Sequence, residues 1–164
     1  MFFTDIDLSR RRDGKYILVN GLVRPGTIAV VYSHRIRYHE VDQQGYLFNS
    51  RYLEIADVAM TEFFRSLGWQ YDALIATGTD PSVVKSEIAF VSPCRFDDVL
   101  DAETVPTRVG TSSFRLRITL RRSGGVVATI ENTYVNVDLA SARSRPLPTD
   151  VAEALEREVR VETT

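Results

Sequence analysis

A carboxylate, a glycine and the start of a long helix lie close together between residues 38 and 52. Asp42 and Gly45 stand in a polar turn, and the helix that follows is predicted to begin near Asn49 or Ser50. The first N–H groups of a helix have no partner within it and lie at the positive end of its dipole. They could therefore stabilise negative charge on a carbonyl oxygen under attack. The carboxylate and the helix start predict the two halves of an acyl-transfer site.

Asp42 is the candidate for the reactive carboxylate. An aspartate is ionised at neutral pH, so it could act as a nucleophile or activate water without a histidine partner. The backbone N–H of Asn49 would donate to the carbonyl oxygen, and Gly45 would permit positive φ or close approach of a substrate. A structural interpretation stands beside this one, because Asp before a helix is commonly a turn residue and Asn49 is a good N-cap.

Other titratable side chains near this turn receive a structural interpretation. His34 and His39 could each act as a base, but a histidine at a strand end is more often a surface or packing residue. Glu40 is expected to be solvated. Cys94 is the only cysteine and has only Arg95 as a basic neighbour, so a packed and unreactive thiol is predicted.

The elements that must position the turn are readable from periodicity. Residues 27–38 alternate as a strand, and an apolar stripe then predicts a helix of about 18 residues that ends at Gly68. A short helical turn is predicted at residues 69–76, and an amphipathic helix at residues 150–159. Four strands are predicted between them, at residues 83–91, 99–109, 114–122 and 126–139. This order predicts an α+β fold, with one antiparallel meander wrapped around the long helix.

Length, composition and charge exclude several classes. The 164 residues, 44% apolar, fit one globular core, and a net charge of −2 gives no general attraction to nucleic acid. The arginine-rich face of residues 114–122 is interpreted as the solvent side of a sheet. No stretch approaches the roughly 18 apolar residues of a membrane span, and no signal peptide is visible, so we expect a cytoplasmic protein. One cysteine and two histidines without a CxxC motif predict no metal site.

The chain is predicted to divide into an N-terminal extension, residues 1–26, and one domain, residues 27–164. Within the extension, residues 16–19 lie between two turn signals and could form a short strand. The arginine run at residues 10–12 is interpreted as a solvated tail rather than a phosphate-binding arm.

The motif Tyr38-x-x-x-Asp42-x-x-Gly45, with Tyr52 in the helix, resembles the acyl-CoA thioesterases of the 4-hydroxybenzoyl-CoA thioesterase type. The later segments are similar too: Val84-Lys85, Ser92-Pro93, Asp97-Asp98, Val137-Asp138 and Arg145-Pro146-Leu147-Pro148. The resemblance covers about residues 28–155. It implies the hotdog fold, in which an antiparallel sheet of five or more strands wraps around one long central helix.

The resemblance also implies an assembly and a site. Members of this family form homodimers with one continuous sheet, and often tetramers, with active sites at the dimer interface. By position, Asp42 matches the catalytic carboxylate, Asn49 the backbone donor to the thioester oxygen, and Gly45 the glycine of the turn. No cofactor is implied, because coenzyme A is part of the substrate.

Seven further residues form the predicted substrate-binding set. Asp57 matches a helix position where the family often has Asp or Glu, and Tyr38 matches a tyrosine of one bacterial branch. Three cations are candidates to hold the phosphates of coenzyme A, by charge and location. The complete set is Tyr38, Tyr46, Tyr52, Asp57, Lys85, Arg95 and Arg145.

Two departures from the family pattern leave the acyl group open. Gln43-Gln44 stands where many members have Pro-Ala or Ala-Gly, and Asn49 replaces an aromatic residue or histidine. The predicted function is hydrolysis of an acyl-CoA or acyl-carrier-protein thioester. One alternative is a dehydratase or hydratase, for which His39 is the nearby candidate. Another is a non-catalytic acyl-thioester-binding domain, which would not need Asp42.

Overall fold

The computed structural model of the chain describes residues 30–159. The predicted boundary after residue 26, the short strand at residues 16–19 and the arginine run at residues 10–12 lie outside the described residues. In the described part, no helix combines the length and apolar character needed to cross a membrane.

Six strands and three α-helices form between residues 30 and 159. In chain order they are β1 (Val30–Arg35), α1 (Arg51–Ser66), α2 (Tyr71–Ala76), β2 (Pro81–Phe90), β3 (Val99–Val109), β4 (Ser113–Arg122), β5 (Gly125–Asp138), β6 (Arg143–Ser144) and α3 (Thr149–Glu158). A 3-10 turn, Tyr38–Glu40, follows β1.

The strand predicted at residues 27–38 ends at Arg35, so its predicted end is wrong. The chain turns there because the Glu40 carboxylate accepts the Arg37 N–H at 2.5 Å and closes the 3-10 turn. The long helix α1 has 16 residues rather than about 18. It stops as predicted before Gly68, whose φ of +103° lies in the left-handed region that favours glycine.

The main sheet has the strand order β1-β3-β4-β5-β2 with antiparallel pairing throughout, and β6 extends it by pairing with β5. The predicted meander holds for β3, β4 and β5 and is wrong for β2. Strand β2 pairs with β5 at the far edge, because β1 occupies the free side of β3. Strand β1, which precedes α1 in the chain, therefore forms one edge of the sheet, and β2 forms the opposite edge.

The core lies between α1 and one face of the sheet. Phe64 of α1 contacts Phe114 edge to face at 5.7 Å, and Phe114 stacks on Tyr134 of β5 at 5.0 Å. The other buried side chains of the helix stripe are Tyr52, Ile55, Ala56, Ala59, Met60 and Phe63. The predicted antiparallel sheet around one long helix is confirmed.

The opposite face of the sheet carries ion pairs between neighbouring strands. Arg115 pairs with Glu131 at 3.1 Å, and Arg121 pairs with Glu103 at 2.8 Å. These arginines are committed to cross-strand partners on the same face. That arrangement agrees with a solvent-facing surface.

Strand β2 differs from its neighbours because it is exposed on both faces. Large apolar side chains at its ends are open to solvent, including Val84 at 60% and Phe90 at 56% exposure. No strand of the described part pairs with its outer edge. An apolar edge of this kind is a template for pairing with another chain.

Candidate active site

The segment between β1 and α1 folds into a tight loop with its own antiparallel bonds. The Phe48 N–H donates to the Glu40 carbonyl at 2.9 Å, and the Asp42 N–H donates to the Tyr46 carbonyl at 2.8 Å. The Gly45 N–H then closes the tip by donating to the Asp42 carbonyl at 2.9 Å. Gly45 has a φ of +77°, which explains why a glycine stands there. We call residues 40–48, closed by these bonds, the site turn.

The Asp42 carboxylate is held by the backbone of the site turn. Its Oδ1 accepts the N–H groups of Gln44 at 2.8 Å and Tyr46 at 3.2 Å. Its Oδ2 accepts no hydrogen bond from residues 30–159. One oxygen therefore fixes the orientation of the carboxylate, and the other is left to contact a ligand.

The N-terminus of α1 lies at the same cleft as this carboxylate. Ser50 is the N-cap and makes no side-chain cap bond, so the expectation that Asn49 caps the helix through its side chain is wrong. The Asn49 N–H donates to no acceptor in the described part of the chain. Both Asp42 and Asn49 line an open cleft of about 420 Å³. Their catalytic roles stay predictions.

The far wall of the cleft comes from the end of β2 and the loop that follows it. The cleft is lined there by Phe90, Val91, Ser92 and Pro93, which the sequence did not indicate as site residues. The sequence feature that could have indicated them is the apolar end of this strand, where no polar residues alternate with the apolar ones. Tyr52 of α1 packs edge to face on Phe90, with ring centroids 5.0 Å apart. The cleft thus joins a polar end at the site turn to an apolar end at β2.

The loop after β2 is attached to the site turn through Leu47, whose N–H donates to the Cys94 carbonyl at 2.8 Å. The Cys94 side chain is fully buried, and burial raises the pKa of its thiol, although contact with the Tyr52 hydroxyl opposes the rise. Burial and the neighbouring Cys94 likewise raise the pKa of the Tyr52 hydroxyl. The prediction of a packed thiol is confirmed, and its lack of reactivity stays a prediction.

Arg95 lies over the outer side of the site turn. Its guanidinium carbon is 4.5 Å from the centroid of the Tyr46 ring, and its Nη2 donates to the Tyr46 hydroxyl at 3.0 Å. No carboxylate within residues 30–159 forms an ion pair with this guanidinium. Arg95 therefore places a positive charge beside Tyr46, which lines the cleft.

Five members of the predicted substrate-binding set do not line the cleft of a single chain: Arg95, described above, and four others. Tyr38 is 82% exposed and its ring meets Phe96 edge to face, and Asp57 lies on the exposed side of α1. Lys85 pairs with Glu87 on β2 at 2.9 Å. Arg145 lies against Gly78, and its buried Nε has no hydrogen-bond partner within residues 30–159. Tyr46 and Tyr52 do line the cleft.

Glu40 is 7% exposed, so the expectation that it is solvated is wrong. His34 Nε2 lies 3.0 Å from both of its carboxylate oxygens, and the Tyr32 hydroxyl lies 3.0 Å from His34 Nδ1. Burial favours protonation of Glu40, but the Arg37 N–H and the His34 ring outweigh it and lower its pKa. The sequence carried no signal for this group, because only the 3-10 turn brings Glu40 back to β1.

Comparisons with known proteins agree with this geometry. The sequence profile described as the thioesterase-like superfamily matches residues 36–155. The acyl-CoA thioester hydrolase YbgC of Escherichia coli O6:H1 is 26% identical over 118 residues, which are 71% of this chain and 88% of that protein. A putative esterase of Aquifex aeolicus is 28% identical over 71 residues, 43% of this chain and 56% of that protein, so the chain spans about half of that relative.

A solved structure has the same fold. The gentisyl-coenzyme A thioesterase BH1999 superposes with a TM-score of 0.69 at 24% identity, over 76% of this chain and 98% of that chain. The chain belongs to the thioesterase-like superfamily. The predicted class, a thioester hydrolase with the hotdog fold, is confirmed.

The lowered pKa of Glu40 predicts a pH-dependent contribution to stability. A carboxylate whose pKa is lower in the folded state stabilises the fold above its unfolded pKa, about 4.3, and loses this effect as the pH falls through the folded pKa. We expect Glu40→Gln to reduce the free energy of unfolding at about pH 7 by roughly 1–3 kcal/mol, from the loss of charged hydrogen bonds. The deficit should shrink below about pH 4.

Urea unfolding followed by circular dichroism at several pH values measures this deficit. Glu153→Gln is the control, because Glu153 is exposed on α3 and should contribute less than about 1 kcal/mol at any pH. A Glu40→Gln deficit that stayed constant down to about pH 3 would contradict the expectation.

Proposed function

We propose that this chain hydrolyses acyl-CoA thioesters in the cleft between the site turn and β2. The observation that carries the proposal is the pairing of two unsatisfied groups in one cleft. In the described part of the chain, one oxygen of the Asp42 carboxylate accepts no hydrogen bond, and the Asn49 N–H has no acceptor. The name of the E. coli relative, an acyl-CoA thioester hydrolase, supports the substrate class.

The proposed chemistry begins with attack on the thioester carbonyl carbon. As base, Asp42 Oδ2 takes a proton from water, and the water oxygen forms the new bond to carbon. As nucleophile, Oδ2 forms that bond itself, and water then cleaves the mixed anhydride. In both routes the carbon–sulfur bond breaks, the thiol leaves with a proton, and a carboxylic acid remains. The proposal leaves both routes open.

The Asn49 N–H is the proposed donor to the carbonyl oxygen in the transition state. Negative charge develops on that oxygen during attack, and the N-terminus of α1 adds the positive end of the helix dipole. Asn49 is not engaged by a side-chain cap or a backbone acceptor within residues 30–159. The donor is therefore available without breaking an existing bond.

The apolar end of the cleft is the proposed place of the acyl group. Phe48, Phe90, Val91 and Pro93 line it together with the Tyr52 ring, and aromatic and aliphatic walls favour a desolvated acyl chain or ring. Water and the side chains of the cleft supply the whole proposed reaction. Coenzyme A enters as part of the substrate, and the reaction requires no separate cofactor. An acyl-carrier-protein thioester stays a second predicted substrate.

A second copy of the chain is proposed to complete the site. Strand β2 has an unpaired outer edge within the described residues and exposed apolar side chains, and the same strand ends in the cleft wall at Phe90. Pairing of two β2 strands would extend the sheet and cover the open side of the cleft. A tetramer and a cytoplasmic location stay predictions.

Replacing Asp42 tests the catalytic proposal. Asp42→Asn and Asp42→Ala should lower kcat/KM for acyl-CoA substrates by at least about 100-fold, because each removes the base or nucleophile. Thiol release measured across short, long and aromatic acyl-CoA thioesters gives the rates. Asp72→Asn is the matched control, since Asp72 is exposed on α2 and away from the cleft.

Two outcomes would contradict the proposed catalytic role of Asp42 or the proposed hydrolysis. Undiminished turnover by both Asp42 variants would remove Asp42 from the mechanism. No turnover of any thioester by the wild-type protein would favour the alternative of a non-catalytic acyl-thioester-binding domain.

Replacing Arg95 tests a proposed contact with a phosphate of coenzyme A. Arg95→Gln should raise KM for an acyl-CoA about tenfold, which corresponds to one charged hydrogen bond. The N-acetylcysteamine thioester of the same acyl group lacks these phosphates, so its KM should change by less than about twofold. Arg65→Gln is the control, because Arg65 pairs with Glu62 on α1. Equal losses on both thioesters would show that Arg95 acts through Tyr46 instead.

A charge on the edge of β2 tests the proposed dimer. Val84→Lys should shift the protein toward monomer, because a buried lysine on a pairing edge is costly. Sedimentation velocity of both proteins over a concentration series measures the change. Leu139→Lys is the control, since Leu139 is equally apolar and lies in an exposed turn after β5. A wild-type monomer, or an unchanged Val84→Lys dimer, would refute the edge contact.

A further inference from the structure

The two groups of the proposed site, Asp42 and Asn49, are held by different parts of the fold. Asn49 precedes α1, and the start of that helix is fixed by the buried side chains of Tyr52 and Ile55. Asp42 lies in the site turn, next to the exposed side chains of Gln43 and Gln44. The position of Asp42 relative to Asn49 therefore depends on what anchors the site turn.

Leu47 anchors the second half of the site turn in the core, and Glu40 anchors the first half through its backbone and its side chain. The Glu40 carbonyl accepts the Phe48 N–H at 2.9 Å. This bond connects the first residue of the site turn to its last residue, which directly precedes Asn49. The Glu40 carboxylate folds back, accepts the Arg37 N–H at 2.5 Å and contacts His34 Nε2 at 3.0 Å through both oxygens. A buried, charged group with this many donors has one favourable position.

His34 connects Glu40 to the sheet. It lies on β1 opposite Leu100 of β3, inside the regular ladder. An ionised carboxylate only accepts hydrogen bonds, so Nε2 carries the proton that faces Glu40, and Nδ1 can accept from the Tyr32 hydroxyl. Burial, reinforced by Glu40 and Glu62, raises the pKa of Tyr32 and keeps its hydroxyl a donor. The His34 ring is thereby fixed at both nitrogens.

We propose that Glu40 is a positioning residue for the proposed hydrolysis, which holds the Asp42 carboxylate at the helix start through its bonds to His34, Arg37 and Phe48. The inference rests on the proposed function. Asp42 follows Glu40 by two residues, so rotation of Glu40 out of its buried site would swing the carboxylate away from the Asn49 N–H. A displacement of about 1 Å in a reacting group can cost up to 100-fold in rate.

The effect should fall on kcat rather than on KM. Glu40 does not line the cleft, so its loss removes no contact to the acyl group or to coenzyme A. Glu40→Gln keeps the shape of the side chain but removes its charge and replaces one accepting oxygen with an amide donor, which then faces the donor of His34 or Arg37. We expect kcat to fall about tenfold and KM to change by less than about twofold. Glu131→Gln, which alters a carboxylate on the outer face of the sheet, should leave both constants unchanged.

A second measurement separates positioning from general loosening of the fold. If Glu40 acts through Asp42, adding Glu40→Gln to Asp42→Asn should lower the residual kcat by less than about twofold. Tyr32→Phe is a milder variant that removes only the hydroxyl on His34, and it should lower kcat about twofold to threefold. The kcat of Tyr32→Phe tests the positioning role if Glu40→Gln folds poorly. Circular dichroism at the assay temperature establishes that each variant is folded.

The outcomes decide between the inference and the proposed function. Wild-type kcat in both Glu40→Gln and Tyr32→Phe would overturn the positioning role while Asp42 remained catalytic. A tenfold loss that persisted in the Asp42→Asn background would also overturn it, because Glu40 would then act by another route. Full activity of Asp42→Asn alone would refute the proposed mechanism, and the positioning role with it.

Discussion

Burial of one stripe of α1 against the antiparallel sheet is the constraint on which the rest of the structure depends. Each large apolar side chain removed from water contributes roughly 1.5–3 kcal/mol, so the stripe from Tyr52 to Phe64 outweighs any polar contact in the site turn. The helix can rotate or slide only by exposing these side chains. Its N-terminus is thereby held at one place on the sheet, with its first N–H groups toward the cleft.

The groups proposed for catalysis are those that this arrangement leaves unsatisfied. Ser50 occupies the N-cap without a side-chain cap bond, and within residues 30–159 only one carboxylate oxygen of Asp42 accepts hydrogen bonds. Uncapped N–H groups cost stability unless water or a ligand satisfies them. In the proposed function, the developing oxyanion is such a ligand. Rigid packing below the cleft and free polar groups within it are two results of the same geometry.

Strand β2 connects the cleft with the proposed assembly. Its last residue, Phe90, packs against Tyr52 in the cleft wall, and its outer edge has no partner strand in residues 30–159. A partner chain along this edge would therefore change the solvent exposure of the acyl end of the cleft. Substrate binding and dimer formation would be coupled through one strand, since both bury the same apolar surface.

The sequence by itself determined the elements with strong periodicity. The stripe of α1, its stop at Gly68, the strands β3 to β5 and the turn glycine at position 45 follow from side-chain spacing and backbone conformation, which are local properties. The motif around Asp42 likewise indicated the class of protein, because its residues are contiguous. These predictions required no knowledge of which elements are neighbours in space.

The tertiary structure decided what depends on contacts between distant segments. It placed β2 beside β5 rather than β3, brought Phe90 to Val91 into the cleft, and buried Glu40 against His34. A glutamate in a polar stretch is normally solvated, and only the 3-10 turn after β1 supplies the donors that stabilise it when buried. Periodicity reports which face of an element is apolar. It does not report which partner that face or a polar side chain will meet, because that choice is made by the packing of the whole chain.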